Sequence, residues 1–399
     1  MMRNKIFAWM LLIVLAVGMI CSASAEEEVL KFGDQSEEVL RMKQRLQELH
    51  YIGNEKLANS FSRKTVESLK EFQRANGLPE TGELDAQTRE VLYSENALRK
   101  PHPRMPELNL SPLPEMPEMP ATDAEGFLAE GDEFFYEADD DGLWIYLGKD
   151  LKIVITRKED RGIPLVWFET EIWTRNGEKF RSVMTDPEHP GKKFQYPYVI
   201  SRENRFVLGF SDDFYATRMA DKVTVGIIIR NGEIISDRTN SKTGHHLPNL
   251  DMMAQYPDGT LTVYDCNEFT AEELAAKGAV NVYSFGPWLI RDGEINELVY
   301  SYYRGIEPRQ ALGMIEPNHY FLVSAQGRNS SSKGTNLQRI AEIMQDHGVT
   351  EALNLDGGNT MALVFRGRML NKLAVFRKKA FVRTVTSIIG IGTTDNQDE

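Results

Sequence analysis

Seven prolines fall between Arg99 and Thr122, at Pro101, Pro103, Pro106, Pro112, Pro114, Pro117 and Pro120. Each fixes its own φ and lacks a backbone N–H, so neither a helix interior nor a sheet ladder can run through the segment. What remains open to it is a stiff, extended spacer. A chain of 399 residues divided in this way is expected to form a separate folded unit on each side. The spacer is drawn at 96–124, with one unit over 28–95 and the other over 125–393.

The first 25 residues read as a signal peptide. Arg3 and Lys5 make a basic start, Ile6–Ile20 is apolar, and Ala23-Ser24-Ala25 is a small-residue cleavage site. With that segment removed no membrane span is expected, because the apolar run is short of the ~20 residues a spanning helix needs. Cys266 would then be the one cysteine left, so no intramolecular disulfide can form. Disulfide-free export fits a secreted or wall-associated protein of the bacterial cell envelope. The formal charge of −13 argues against nucleic acid, and against an anionic surface, as electrostatic partners.

In the first unit Val39, Met42, Leu46 and Leu49 follow a helical stripe, with Asp34-x-x-Glu37 as its opening cap. A second stripe, Val66, Leu69 and Phe72, runs to Gly77-Leu78-Pro79, which stops it. Asp85-x-x-Thr88 opens a third, short helix ending near Leu92. The expectation is a small all-α, three-helix domain. Its Gly-Asp-x-x-x-x-Val start, Gln-x-x-Leu helix, Thr-x-x-x-Leu-x-x-Phe-Gln, Gly-Leu and Thr-Gly-x-x-Asp-x-x-Thr resemble the peptidoglycan-binding domain of cell-wall hydrolases. That resemblance implies peptidoglycan as a partner; as residues, most of these positions are core and caps, which fit a plain helical spacer as well.

From about Glu125 to Gly392 the texture changes to short β-like runs, among them Lys152–Thr156, Leu165–Thr174, Thr224–Arg230 and Leu261–Tyr264. Asn231-Gly232 and Asp292-Gly293 read as hairpin turns. One helix is expected near Thr335–Asp346, with Leu337, Ile340, Ala341 and Met344 on its inner face. Together they predict a larger α+β domain with a mixed sheet. Within it, Asn354–Thr360 reads NLDGGNT: an apolar run delivers Asp356 into two glycines, which let the backbone turn and approach a ligand closely. The segment alone reads more readily as a hairpin turn, Asp-Gly being among the strongest turn pairs.

Four segments stand together as a pattern: SFGPWLIRDGEI, EPRQALGMIEPNHYFLVSAQGR, GTNLQRIAEIMQDHGVTEALNLDGGNTM and FVRTVTSIIGIG. In this order they resemble the phosphodiester glycosidase family, and upstream FSDDFYATR followed by VGIIIRNGEI extends the likeness. The resemblance implies a hydrolase that cleaves a sugar-1-phosphodiester, of the N-acetylglucosamine-1-phosphodiester type, at the anomeric carbon. Such a transition state calls for a carboxylate beside the oxocarbenium centre and cations on the departing phosphate. Asp356 and Asp213 are the candidate catalytic carboxylates, and Arg309, Arg328 and Arg383 the candidate phosphate-binding guanidiniums. Ser284, Gly286, Gln326, Gly327, Gly357, Gly358 and Thr360 complete the expected substrate contacts.

Plainer readings stand beside these. Arg309 and Arg383 also suit exposed strand ends, QGRNSSSKG suits a solvated loop, and Phe214-Tyr215 suits core packing as well as sugar stacking. His245-His246 lacks further ligands at metal spacing, so neither a metal nor another cofactor is expected. The chain departs from the family pattern at three places: Ser211-Asp212 for Asn-Gly, Gln326 for an aspartate, and Asn359-Thr360 for Gly-Ser. If the lost carboxylate at Gln326 is essential, the chain binds a sugar phosphate without cleaving it. The expected partners are peptidoglycan and a sugar-phosphate glycan of a wall polymer or exopolysaccharide.

Overall fold

The computed structural model describes residues 29–53, 56–189, 192–212, 226–238, 250–301 and 304–397. They group into two compact units, Met1–Pro103 and Arg104–Glu399.

In the smaller unit the described helices are α1 (Glu37–Glu48), α2 (Arg63–Ala75) and α3 (Ala86–Tyr93). Val39, Met42 and Leu46 of α1 meet Leu69 and Phe72 of α2 and Leu92 of α3 in one core. Phe72 is fully buried, so truncating it to alanine is worth about 3–5 kcal/mol. The caps explain where the helices begin. Ser62 and Thr65 form a reciprocal capping box on α2, and Asp85 accepts from the Thr88 N–H at 2.7 Å. The opening of α1 differs from the Asp34 expectation. Ser36 is the cap, accepting from the Val39 N–H at 3.1 Å, while the Asp34 carboxylate turns back to the Lys31 N–H. A cap must reach the third helical residue, here Val39, whereas the residue three on from Asp34 is Glu37, only the first of the helix.

In the larger unit, the described strands of the main sheet run in the order β1 (Glu133–Ala138), β2 (Leu143–Gly148), β3 (Leu151–Asp160), β4 (Leu165–Thr174), β15 (His319–Gln326), β14 (Arg309–Glu316), β16 (Glu351–Leu355), β12 (Trp288–Arg291) and β13 (Glu294–Ile295). A second sheet has β10 (Leu261–Tyr264), β9 (Met252–Gln255), β11 (Asn281–Ser284), β7 (Gly226–Arg230) and β8 (Glu233–Arg238). A third has β18 (Arg368–Met369), β17 (Leu363–Phe365), β6 (Leu208–Phe210), β21 (Ser387–Ile391) and β5 (Arg181–Met184). The ribbon β19 (Val375–Phe376) and β20 (Lys379–Ala380) stands apart.

The unit is α+β, and each pairing between described strands is antiparallel. The mixture is therefore one of helix and strand rather than of strand direction. Asn231-Gly232 and Asp292-Gly293 have positive φ at both residues and close the β7–β8 and β12–β13 hairpins, as their sequence leads one to expect.

Side-chain alternation gives the main sheet two buried faces. Tyr320 and Leu322 of β15, with Leu353 and Leu355 of β16, join residues of the other two sheets in the largest core. Phe321, Val323 and Ala352 face the other way, onto the helix Leu337–Asp346. That helix is capped by Asn336 and buries Leu337, Ile340, Ala341 and Met344, the face its periodicity predicts.

Part of the proline-rich segment lies along this unit. The Met105 N–H donates to Glu342, Arg339 Nη2 donates to the Pro106 carbonyl, and the Ser111 N–H donates to the Glu159 carbonyl. Among the described residues no helix is long and apolar enough to cross a membrane. The expected signal peptide lies outside them.

Candidate active site

Antiparallel pairing puts the end of one strand beside the start of the next, and this gathers the sequence-predicted residues at one margin of the main sheet. There β15 ends at Gln326, β14 begins at Arg309, β16 ends at Leu355 before Asp356, and β12 begins at Trp288 after SFGP. Arg309 stands opposite Ala325, and Gln310 opposite Leu355.

The two glycines after Asp356 make close packing possible. A Cβ on Gly357 would run into the Pro308 carbonyl oxygen, and the Gly358 N–H donates to that same oxygen at 2.9 Å. Gly358 sits at φ +61°, with a Cβ position 3.5 Å from Arg328 Nη1. Only glycine takes this turn without strain. The segments bearing Arg309 and Arg328 therefore press directly on NLDGGNT. Arg383 joins them through its backbone N–H, which donates to the Asn359 carbonyl at 2.9 Å.

Asp356 is buried, and its N–H donates to the Asp212 carbonyl at 3.1 Å. Asp212 is a departure from the family pattern, and the structure gives it work. Its carboxylate accepts from Ser182 Oγ at 2.7 Å and pairs with Arg230 Nη2 at 3.3 Å, with side-chain exposures of 2% and 4%. Arg230 also donates to the Val282 carbonyl at 2.6 Å. Asp212 thus links the main sheet through Asp356, the second through Arg230 and the third through Ser182. Its neighbour Ser211 accepts from the Ala362 N–H and donates to the Thr360 carbonyl, while its own N–H donates to Gln310 Oε1. Gln310 is wholly buried and donates onward to Ser324 Oγ at 2.7 Å.

The other departures are equally well held. Asn359 accepts from Arg328 Nη1 at 2.9 Å and donates to the carbonyls of Ala374 and Phe381 at 2.9 and 3.2 Å. Gln326 is buried, accepts from the Lys372 N–H at 2.9 Å and donates to Ser331 Oγ. An aspartate at 326 would leave the Ser331 hydroxyl without that donor. Gly327 packs against Gly334 so closely that a Cβ would meet the Gly334 Cα.

Arg328 stands at φ +53° and turns its guanidinium to Glu307, at 2.6 Å from Nε and 2.5 Å from Nη2. A phosphate reaching this arginine would compete with that carboxylate. Arg309 is half-buried and donates from Nη2 to the Gly305 carbonyl at 3.1 Å.

Ser284 is wholly buried and donates to the Ile227 carbonyl at 2.8 Å, so its hydroxyl faces β7. Gly286, at φ +82°, lies before a cis bond to Pro287; its N–H donates to the Asn354 carbonyl, and Asn354 Nδ2 returns a bond to the Gly286 carbonyl. Asp251 holds this loop from beneath, accepting from the Trp288 and Cys266 N–H groups at 3.0 and 3.2 Å. Burial pushes the Asp251 carboxyl above the usual carboxylate range. Thr360 is buried, and its Oγ1 has no hydrogen-bond partner among the described residues.

Asp213 lies outside the described residues, as do Phe214-Tyr215 and His245-His246. Sequence reasoning missed Arg230, Gln310, Glu307, Asp251 and Ser182. Glu307 at the head of EPRQ was the one within reach, two residues before a candidate arginine.

A sequence model described as phosphodiester glycosidase matches residues 204–392, and one for a peptidoglycan binding domain matches residues 35–92. Over residues 204–392 the larger unit is similar to the phosphodiester glycosidase family. The first of these spans includes every candidate site residue. Over 145 residues the chain is 28% identical to the SPbeta prophage-derived uncharacterized protein YomE of Bacillus subtilis (strain 168). That stretch is 36% of this chain and spans only 22% of that relative's own length. Among solved structures, the catalytic domain of zebrafish N-acetylglucosamine-1-phosphodiester alpha-N-acetylglucosaminidase, auto-inhibited by its pro-peptide, aligns at 18% identity. The alignment covers 66% of this chain and 89% of that one, with a TM-score of 0.49. A hypothetical protein from Synechocystis aligns at 14% identity over 61% of this chain and 62% of that one, TM-score 0.43.

Proposed function

We propose that this phosphodiester glycosidase-like domain hydrolyses a glycosyl-1-phosphodiester, of the N-acetylglucosamine-1-phosphodiester type, in a wall polymer or exopolysaccharide. The protein would be exported by its signal peptide and held at the cell wall by the peptidoglycan-binding domain. One observation carries the reading: Asp356 and the segments bearing Arg309, Arg328 and Arg383 converge on one margin of the main sheet. In the net reaction the bond from the anomeric carbon to the phosphate oxygen breaks, its electron pair leaving with the phosphate monoester, and a water oxygen bonds to that carbon and gives up a proton to solvent. Asp356 supports the positive charge that develops at the sugar, and the arginines neutralise the leaving group. Asp213 is the second carboxylate proposed for this step. No metal or cofactor is invoked.

The experiment is incubation of the purified full chain with a synthetic N-acetylglucosamine-1-phosphodiester, with release of free sugar as the readout. Release supports the enzyme; binding without release supports a second reading. Gln326, buried and neutral where the family pattern carries an aspartate, favours that second reading, a non-catalytic sugar-phosphate binder of the envelope. Loss of both binding and release would leave a scaffold. Co-sedimentation of the full chain with purified cell walls tests the tether, and failure to sediment would remove it.

A further inference from the structure

From Gly357 to Thr394 the chain has no acidic residue and seven basic ones, although its formal charge is −13. Two of these, Arg366 and Arg368, pair with Glu137 of β1. Lys372, Arg377, Lys378 and Lys379 are different. They are exposed and make no ion pair with a carboxylate among the described residues. Three of them lie on the β19–β20 ribbon, whose turn is Arg377-Lys378, at φ +48° and +67°. Leu373, Val375 and Phe376 are exposed beside them, by 36%, 39% and 48%, and the Arg377 guanidinium lies 5.3 Å from the Phe376 ring centre.

The root of this ribbon is built into the candidate site. The Val375 N–H donates to the Arg328 carbonyl at 2.9 Å, Asn359 Nδ2 donates to the Ala374 carbonyl, and the Lys372 N–H donates to Gln326. A short ribbon carrying unpaired cations therefore rises from the residues proposed to hold the scissile phosphate. Its apolar side chains offer contact to the carbon skeleton between anions. Successive cations along an exposed edge match an anion that repeats, whereas a single small phosphodiester would be held by the site alone.

We propose that the β19–β20 ribbon is an extended subsite for a polymer whose repeats are joined by phosphodiesters, gripping phosphates beyond the one that is cleaved. The proposal rests on the reading of the site as a phosphodiester glycosidase centre for the direction in which the polymer lies. It does not rest on turnover for its test.

The test compares the full chain with the variant Arg377→Asn/Lys378→Gly/Lys379→Thr. Asn-Gly suits a turn with two positive φ values, so the ribbon keeps its shape while losing its charge. The probe is a fluorescently labelled glycerol-phosphate oligomer, with phosphatidylglycerol vesicles and single-stranded DNA as comparators. Removing three exposed charge contacts should weaken oligomer binding about tenfold and make what remains less salt-sensitive. Release of sugar from the small synthetic phosphodiester should not change. Equal oligomer affinity in both proteins overturns the proposal, as does wild-type binding to vesicles or DNA but not to the oligomer. Should the wild type release no sugar from any substrate, the binding comparison still decides the ribbon's role, so the two ideas fail separately.

Discussion

Two clusters of charge meet at Asn354–Thr360, and they are built in opposite ways. On one side Asp212 and Arg230 are buried together and joined to three sheets. On the other, Lys372 and the Arg377–Lys379 turn stand in solvent with no carboxylate opposite among the described residues. Buried charge acts over a few ångströms and fixes where a backbone goes; exposed charge does little for the fold and attracts ligands from a distance. The first cluster positions Asp356, and the second presents itself to an anion. The net charge of −13 hides this contrast, since a sum over the chain says nothing about where cations gather.

The sharpest way to break the comparison is Arg230→Met, which strands the Asp212 carboxylate in the interior. The expected loss is about 3–5 kcal/mol of stability, read from urea unfolding. A loss under about 1 kcal/mol would mean that water reaches Asp212 and that the pair is no anchor. Asn359→Gly restores the residue type common in the family and removes three side-chain hydrogen bonds. It should cost about 1–3 kcal/mol and loosen Arg328; an unchanged melting temperature would show that those bonds are dispensable.

Asp251 gives a pH signature. Its carboxyl is held above its ordinary value of 3.8 by burial, so folding favours the protonated form. The stability it contributes is fully present below 3.8 and is lost as pH rises through the higher folded value. Glu351, also pushed up by burial, adds the same trend from 4.5 upward. The stability of the wild type relative to Asp251→Asn should therefore shrink as pH rises from about 4 toward 7. A difference that grows with pH would contradict the assignment. The smallest effect belongs to the ribbon: Arg377→Asn/Lys378→Gly/Lys379→Thr should move stability by less than about 0.5 kcal/mol. A larger fall would make those charges structural.

Much of the scaffold was legible in the sequence because it is encoded locally. The stripes of the small unit, the cap at Asp85, the two Gly-containing hairpin turns and the helix face from Leu337 to Met344 all follow from neighbours a few residues apart. The strand end carrying Asp356 was legible for the same reason, as an apolar run broken by two glycines. What stayed hidden depends on contacts between distant segments. Arg230 lies 18 residues from Asp212, and nothing in GIIIRNG points to a carboxylate. Ser284 looked available to a ligand, but its hydroxyl is committed to Ile227, 57 residues away. Proline content says that residues 104–124 are extended, not that Pro106 is held by Arg339. The ribbon turn was missed because Arg-Lys is no turn signal; positive φ at two such residues is imposed by the pairing around them.

The measurement that bears most directly on the proposed function is sugar release from an N-acetylglucosamine-1-phosphodiester by the wild type and by Asp356→Asn, with thermal unfolding of both. Asparagine keeps the shape and the backbone bond to Asp212 while removing the charge. The account predicts release by the wild type, none by the variant, and closely similar unfolding temperatures. Equal release by both proteins would contradict it.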